Sequence, residues 1–198
     1  MAFSKLDTPR LVLRRFQDAD LEAFMAYRND PEIARYQSWD SISAPRAQAF
    51  ITDQKQQEPG TPGQWFQFAL ELKEPRQLVG DCGLCVLVQD ARQAQLGLSL
   101  ARPQQGRGLA TEAMHAVLDY AFINLDLHRV MTIVDVENTA SARLMERVGL
   151  RREGHFVKHA WFKGHWADEY LYAVLQAEWL PRRGLPSGPP TRVASREA

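Results

Sequence analysis

The 198-residue chain has only two cysteines and no long apolar run. Cys82 and Cys85 lie three residues apart in a strand-like segment, so their side chains should point to opposite faces, and no second Cys or His pair completes a zinc site. We therefore expect buried, reduced thiols, no metal, and a reducing compartment, the cytoplasm. The apolar runs are too short to span a bilayer, and the N-terminus has no apolar segment typical of a secretory signal.

Neither positive nor negative charge is in excess, because 24 basic and 24 acidic side chains give a formal net charge of zero. The chain up to residue 180 is mildly acidic, which argues against a nucleic-acid partner and would not repel a cationic amine. Residues 181–198 carry the balancing positive charge and are rich in proline and glycine, with few apolar side chains. We expect one domain over residues 1–180 and a flexible, loosely attached tail over residues 181–198.

Local patterns predict an α/β fold with the element order β-αα-βββ-α-β-α-ββ. Three consecutive strands between residues 65 and 101, joined by short turns, are typical of an antiparallel meander. The helix after them covers roughly residues 108–124. A shorter helix covers residues 139–148, with Asn138 as its N-cap and Gly149 just beyond its end. This order predicts a single sheet of mixed direction.

The turn between the third meander strand and the long helix is the most informative segment. Gly106 and Gly108 allow a tight turn and expose backbone N–H groups where the helix begins. A strand, a glycine turn and a helix N-terminus together predict a phosphate site, with a ligand-free turn as the alternative. The segment is not a Walker loop, because no Gly-Lys-Ser/Thr follows, and the dinucleotide-binding pattern fails at Thr111.

Two motifs carry a resemblance to a known superfamily. The pattern Gln105-x-x-Gly108-x-Ala110 resembles the pyrophosphate-binding turn of the GNAT superfamily of acyl-CoA-dependent N-acyltransferases. About 30 residues further on, a strand–helix segment is similar to the second cofactor motif of the superfamily, with Asn138 and Ser141 at the matching positions. Because the motifs occur in the right order, the chain is identified as a candidate member.

The N-terminal segment Thr8-Pro-Arg-Leu-Val-Leu-Arg-Arg15 resembles the RimJ/RimL branch, the N-terminal acetyltransferases of ribosomal proteins. The resemblance covers about residues 8–176 and implies a single-domain GNAT-like fold. That fold has a mixed, mostly antiparallel sheet of six to seven strands, flanked by about four helices. The implied activity is direct transfer of an acyl group from acetyl-CoA, the cosubstrate, to an amine, with an N-terminal α-amine of a protein or peptide as the expected acceptor.

The resemblance also implies which residues hold the coenzyme. Backbone groups of the strand before the turn would bind the pantetheine arm, and backbone groups of the turn would bind the pyrophosphate. The expected coenzyme-binding residues are Leu98, Ser99, Leu100, Ala101, Gln105, Gly106, Arg107, Gly108, Leu109, Ala110, Thr111, Asn138 and Ser141. A solvated side chain is an equal alternative for Arg107, and Asn138 also suits a plain N-cap.

The candidate catalytic residues are Ser141, Asn138 and Gln95, and they depart from the usual superfamily pattern. Met145 stands where many members have a tyrosine acid, so Ser141 is the expected hydrogen-bond donor to the coenzyme sulfur. The alternative for Ser141 is a helix serine bonded to its own backbone. Gln95 stands where a glutamate often acts as base, and it can only orient a water. Asp81 is another candidate base, although a solvent-facing strand aspartate is the favoured interpretation.

A site without a dedicated base should prefer weakly basic amines. At pH 7, deprotonating a lysine amine costs roughly 4.6 kcal/mol, whereas an α-amine costs roughly 1 kcal/mol. Tyr36 and Trp39, in the loop before the second predicted helix, are candidate acceptor contacts together with Asp81, and core packing is the alternative for the two aromatic residues. Trp161 and Trp166 are candidates for the core or for a homodimer contact.

Two other functions stay open at this point. One keeps the coenzyme and replaces the acceptor with a small amine, such as a polyamine or an aminoglycoside. The other is a non-catalytic sensor of acyl-CoA, which would keep the turn and lose the proton-handling groups. Gln95 and Met145 fit the sensor, whereas Ser141 and Asn138 argue against it.

Overall fold

The computed structural model describes residues 3–185, which form one eight-stranded sheet covered by helices. The strands are β1 (Lys5–Asp7), β2 (Leu11–Arg14), β3 (Trp65–Leu72), β4 (Gln77–Val86), β5 (Gln93–Leu100), β6 (Arg129–Asp135), β7 (Arg151–Phe162) and β8 (His165–Leu175). The helices are α1 (Leu21–Arg28), α2 (Pro31–Ala34), α3 (Ala44–Gln54), α4 (Leu109–Ile123), α5 (Thr139–Val148) and α6 (Gln176–Arg182). Within the described residues, no helix combines the length and apolar character needed to cross a membrane.

The strand order is β1-β2-β3-β4-β5-β6-β8-β7, and every neighbouring pair is antiparallel except β5 and β6. This confirms the predicted α/β fold with a mixed, mostly antiparallel sheet. The sheet has eight strands rather than six to seven, because the short β1 precedes the first predicted strand and pairs with it. The described chain has six helices rather than about four, since the single-turn α2 and the terminal α6 were not predicted.

Helices cover both faces of the sheet, as the side chains of β3 show. Phe68 and Leu70 are buried in the same apolar cluster as α4, α5 and α6. Ala69, between them, is buried in a second cluster with α1 and α3. Successive strand residues point to opposite faces, so the two helix groups lie on opposite sides. Cys82 and Cys85, on the central strand β4, are buried free thiols, as expected.

The C-terminal helix extends the folded unit past the predicted boundary at residue 180. Trp179 of α6 is buried, and its indole N–H donates to Asp119 of α4 at 2.7 Å. Arg183, just after α6, pairs with the same carboxylate at 2.8 Å. Contacts with the folded unit therefore reach past residue 180, and the division into a domain of residues 1–180 and a tail of residues 181–198 stays a prediction. The rest of the predicted tail, residues 186–198, lies outside the described residues.

The last strands form a long hairpin at one edge of the sheet. Trp161 and Trp166 lie opposite each other on β7 and β8, with ring centroids 5.4 Å apart. They are 63% and 55% exposed, so the core alternative for these two residues is wrong. Their role in a homodimer stays a prediction.

Candidate active site

The parallel strands β5 and β6 pair over only three residues and then separate. Gln93–Gln95 lie opposite Arg129–Met131, after which β5 continues to Leu100 and β6 to Asp135. Parallel strands end at the same edge of a sheet, and the helix after each strand begins there. The N-termini of α4 and α5 therefore flank an opening between the two strands, the position at which open α/β sheets bind ligands.

Beyond the split, β5 is paired with β4 on one side only. The Ala101 N–H donates to the Val79 carbonyl at 2.8 Å, and in an antiparallel pair the backbone groups of alternate residues point to the partner strand. The backbone groups of Ser99 and Ala101 thus face β4, whereas those of Leu98 and Leu100 face the opening. Of the four residues predicted to hold a pantetheine arm, Leu98 and Leu100 have backbone groups on the open side of β5, and the assignment of all four stays a prediction.

The turn between β5 and α4 presents a row of unpaired backbone N–H groups. Gly106 and Gly108 have φ angles of 72° and 79°, a region that favours glycine. Within residues 3–185, the N–H groups of residues 106–111 donate no hydrogen bond, and no side chain caps α4. A Cβ on Gly106 would meet nothing within 4 Å, so this side of the turn is open. Unpaired donors at the positive end of a helix suit a phosphate.

The side chains of the turn are mostly used within the protein. The Gln105 amide donates to the Leu100 carbonyl at 2.9 Å and so ties the turn to the end of β5. Leu109 is buried in the core, and the exposed Arg107 side chain donates to Gln104. The turn therefore offers a ligand its backbone donors rather than the side chain of Gln105.

Sequence reasoning missed two residues that hold this turn. Arg10 donates to the Arg107 carbonyl at 2.7 Å, and Glu112 accepts from the Arg10 backbone N–H at 2.7 Å. Arg10 lies in the segment Thr8–Arg15, but that motif indicated only a branch of the superfamily. Glu112 had no signal in the sequence, because its partners lie about a hundred residues away.

Helix α5 places Asn138 and Ser141 at the other side of the opening. Asn138 is its N-cap and accepts a hydrogen bond from the Ser141 N–H at 3.0 Å, as the N-cap alternative predicted. The half-buried Ser141 hydroxyl makes no hydrogen bond within the described residues, so the alternative of a serine bonded to its own helix is not observed. Met145 is buried in the core and, as a thioether, has no proton to donate.

The predicted acceptor residue Tyr36 lies next to the start of α5. Its hydroxyl donates to the Glu137 backbone carbonyl at 3.4 Å, and Arg35 pairs with the Glu137 carboxylate at 3.1 Å. Glu137 directly precedes the N-cap Asn138. The loop after α2 is therefore connected to the helix that carries Ser141.

Trp39 is fixed between this loop and α1. Its indole N–H donates to the Arg28 carbonyl at 3.1 Å, and the Arg28 guanidinium lies 3.7 Å from the ring centroid. Lys163, in the β7–β8 turn, donates to the Trp39 carbonyl at 2.8 Å and pairs with Asp40 at 2.7 Å. The half-buried Trp39 thus lies where the α2–α3 loop meets the hairpin tip.

Asp81 is buried, not solvent-facing, so the favoured interpretation of this residue was wrong. It is 3% exposed and accepts hydrogen bonds from the Tyr27 hydroxyl and from Arg28, the latter at 2.9 Å. Burial, with the Asp81 carboxylate, raises the pKa of Tyr27 well above its usual range, so the phenol stays protonated. The Asp81 carboxylate is already hydrogen-bonded to two buried side chains, Tyr27 and Arg28, and is therefore poorly suited to act as a base.

Gln95 lies at the apex of the opening, because it is the last β5 residue to pair with β6. Its half-buried side chain makes no hydrogen bond to any part of the chain that the structure describes. Across residues 3–185, no three His, Cys, Asp or Glu side chains are grouped so that they could hold a metal ion.

Comparison with known proteins decides the family. A model of the acetyltransferase (GNAT) domain matches residues 10–151, which include the split strands, the turn and α5. The chain belongs to the GNAT acetyltransferase family. It is therefore an acyl-CoA-dependent acetyltransferase, and the resemblance found in its motifs is confirmed at the level of this family.

The relatives of this GNAT protein differ in what they are known to acetylate. An uncharacterised N-acetyltransferase, p20, of Bacillus licheniformis is 30% identical over 174 residues, 88% of this chain and 97% of the relative. The ribosomal protein uS5-alanine N-acetyltransferase of Escherichia coli is 30% identical over 61% of this chain and 63% of its own. The crystal structure of Vibrio cholerae spermidine N-acetyltransferase with CoA and spermine matches with a TM-score of 0.74 and 26% identity, over 86% of this chain and 98% of that one.

The residues around the opening fit an acyl-CoA cosubstrate. A row of unpaired N–H groups suits the diphosphate, and Gly106 leaves room for close approach. The backbone groups of Leu98 and the Leu100 N–H face the space between the strands, where an extended, amide-containing arm could pair with them. The donor set therefore agrees with the chemistry of coenzyme A.

Proposed function

We propose that this GNAT acetyltransferase is of the RimJ/RimL type and transfers an acetyl group from acetyl-CoA to the N-terminal α-amine of a protein or peptide. In the reaction, a bond forms between the amine nitrogen and the acetyl carbon while the carbon–sulfur bond breaks. The amine loses one proton and the coenzyme thiolate gains one. The thioester of acetyl-CoA supplies the activated acetyl group, and the protein positions both reactants.

The proposed roles follow from where each side chain lies. Ser141, whose hydroxyl has no other partner in the described chain, donates a hydrogen bond to the coenzyme sulfur. Asn138 holds the first turn of α5 and so fixes the position of Ser141. Gln95, at the apex of the split, orients a water that takes up the amine proton. The turn at residues 106–111 holds the diphosphate through backbone N–H groups.

The choice of acceptor depends on the two candidate bases, Gln95 and Asp81, neither of which is suited to take a proton from an ammonium group. Gln95 is a neutral amide, and the nearby candidate Asp81 is bound to Tyr27 and Arg28. An acceptor must then reach the site already neutral. Neutral α-amine is abundant near pH 7, whereas neutral lysine or polyamine nitrogen is scarce.

The charges of the acceptor region agree with an acceptor of low charge. Asp40 is paired with Lys163, and Glu137 with Arg35, at 2.7 and 3.1 Å. Of the acidic side chains of this region, Glu32 is exposed and forms no ion pair with any described residue. One free carboxylate suits an acceptor of low total charge better than a polycation, which would gain from several.

Peptide turnover tests this proposal directly. At pH 7 we expect kcat/KM for a peptide with a free N-terminus to exceed, by at least about tenfold, that for the same peptide with a blocked N-terminus and one lysine, because far less of the lysine is neutral. Thiol release with acetyl-CoA is the measurement. Faster acetylation of the lysine would contradict the proposal.

A small polyamine is the second candidate, favoured by the likeness to the spermidine N-acetyltransferase structure with bound spermine. Spermidine therefore belongs in the same assay. Turnover of spermidine above that of the free-N-terminus peptide would replace the first proposal with this one. Saturable binding of acetyl-CoA without thiol release from any of the amines would instead indicate a sensor.

Ser141→Ala is expected to lower kcat by about tenfold or more with little change in KM for acetyl-CoA, because the lost donor acts on the leaving thiolate. Thr139→Ala is the matched control, since Thr139 is an exposed residue at the start of the same helix. Steady-state kinetics of both variants with the free-N-terminus peptide provide the measurement. Equal rates for the Ser141 variant and the wild type would remove Ser141 from the mechanism.

A further inference from the structure

The N-terminal segment is joined to the first turn of α4 by a cluster of short hydrogen bonds. Glu112 accepts from the Thr8 hydroxyl at 2.6 Å, and from the backbone N–H and Nε of Arg10, each at 2.7 Å. Burial acts to raise the pKa of Glu112, but hydrogen bonds from Thr8 and Arg10 outweigh it and hold the pKa below its usual range. The carboxylate is therefore ionised near neutral pH, and the cluster is intact there.

The same guanidinium also reaches the glycine turn. Arg10 Nη1 donates to the Arg107 carbonyl at 2.7 Å. This carbonyl belongs to the peptide group that ends in the Gly108 N–H. A trans peptide is planar, with its C=O and N–H pointing in opposite directions. Holding the Arg107 carbonyl against Arg10 therefore turns the Gly108 N–H away from Arg10.

The turn needs such a restraint because glycines flank this peptide group. Gly106 and Gly108 both have positive φ angles, and glycine visits many other backbone conformations at little cost. The side chain of Arg10 packs closely here, since a Cβ on Gly108 would lie 3.4 Å from Arg10 Nη2. One side chain thus restrains both the peptide group between the two glycines and the first turn of the helix that follows.

We propose that Arg10, held by Glu112, is a positioning residue that presets the diphosphate-binding turn for the coenzyme. This inference rests on the proposed binding of the diphosphate at residues 106–111. Arg10 acts through the Arg107 carbonyl, so its loss weakens only those ligands that use the turn. Arg10 has no part in binding the acetyl group or the amine.

Truncated ligands separate this role from a general structural one. We expect Arg10→Gln to raise the Kd of coenzyme A about tenfold, the effect of one lost charge-assisted contact to the turn. The Kd of S-acetylpantetheine, which lacks the diphosphate and the rest of the nucleotide, should stay within twofold. Arg10→Lys keeps the charge but lacks the planar guanidinium that bonds both Glu112 and the Arg107 carbonyl. It should therefore also raise the Kd of coenzyme A.

Arg92→Gln is the matched control, because Arg92 is an exposed arginine paired with Asp90 at the opposite end of β5. It should leave both dissociation constants unchanged. Equal weakening of both ligands by the Arg10 variants, full affinity of Arg10→Gln, or full rescue by Arg10→Lys would each overturn the proposal. A wild-type protein that binds coenzyme A no better than S-acetylpantetheine would instead refute the diphosphate site itself.

Discussion

Gly106→Ala is expected to weaken the binding of coenzyme A about a hundredfold while leaving the fold intact. Gly106 has a φ of 72°, and its added Cβ would meet nothing within 4 Å. Positive φ costs alanine roughly 1–2 kcal/mol, so the turn would shift to another conformation. Losing one or two charge-assisted bonds of about 1.5–3 kcal/mol each gives an effect of this size.

Gly184→Ala is the control for this substitution. Gly184 also has a positive φ, 65°, and open space at its Cβ, but it lies in the turn after α6. Both variants should lose similar stability in thermal unfolding, and only Gly106→Ala should lose affinity in calorimetry. Wild-type affinity in Gly106→Ala would contradict the assignment of the turn.

Asp81→Asn is expected to reduce the free energy of unfolding by roughly 3 kcal/mol, because it leaves the buried Arg28 without a counter-charge. Arg28 Nε also has no hydrogen-bond partner within the described residues, so the variant would bury an unpaired donor as well as an unpaired charge. The same guanidinium lies against the ring of Trp39, so KM for the acceptor should rise as well. Urea unfolding and steady-state kinetics are the two measurements.

Two further variants locate the cause of this loss. Arg28→Met combined with Asp81→Asn should be more stable than Asp81→Asn alone, because no uncompensated charge remains. Asp18→Asn, which breaks the exposed pair with Lys55, should leave stability nearly unchanged. If Asp81→Asn were as stable as the wild type but had a much lower kcat, Asp81 would be the base, and the preference for α-amines would lose its support.

The elements with strong local signals could be predicted from the sequence. Helix α5 covers Thr139–Val148 as predicted, because Asn138 caps its start and Gly149 ends it with a φ of 99°. The turn was found for the same reason, since two glycines in three residues between a strand and a helix are a local pattern. Short elements without such signals, β1 and α2, were missed.

Features that depend on distant contacts could not be predicted. A single acidic residue in a strand is ordinarily exposed, and only the packing of α1 against β4 buries Asp81 between Tyr27 and Arg28. The proline-rich composition after residue 180 indicated a tail, yet Trp179 and Arg183 anchor α6 to α4 through Asp119. In both regions tertiary packing outweighs the local tendency.

In the candidate site, too, features with local signals could be predicted and features that depend on distant contacts could not. The glycine turn and the N-cap Asn138 could be predicted from local sequence, and they follow the ends of β5 and β6. The bond between Arg10 and the Arg107 carbonyl spans 97 positions, so no local pattern could indicate it. Which backbone groups of β5 face the opening also required the register with β4.

Titration of isotope-labelled protein with coenzyme A, followed by amide NMR, shows directly whether the turn at residues 106–111 binds the diphosphate. If the turn binds the diphosphate, the amide resonances of residues 106–111 shift saturably, and by more than those of other turn amides such as Gly184. Saturable binding that leaves these amides unmoved would contradict the diphosphate site, and so would the absence of binding.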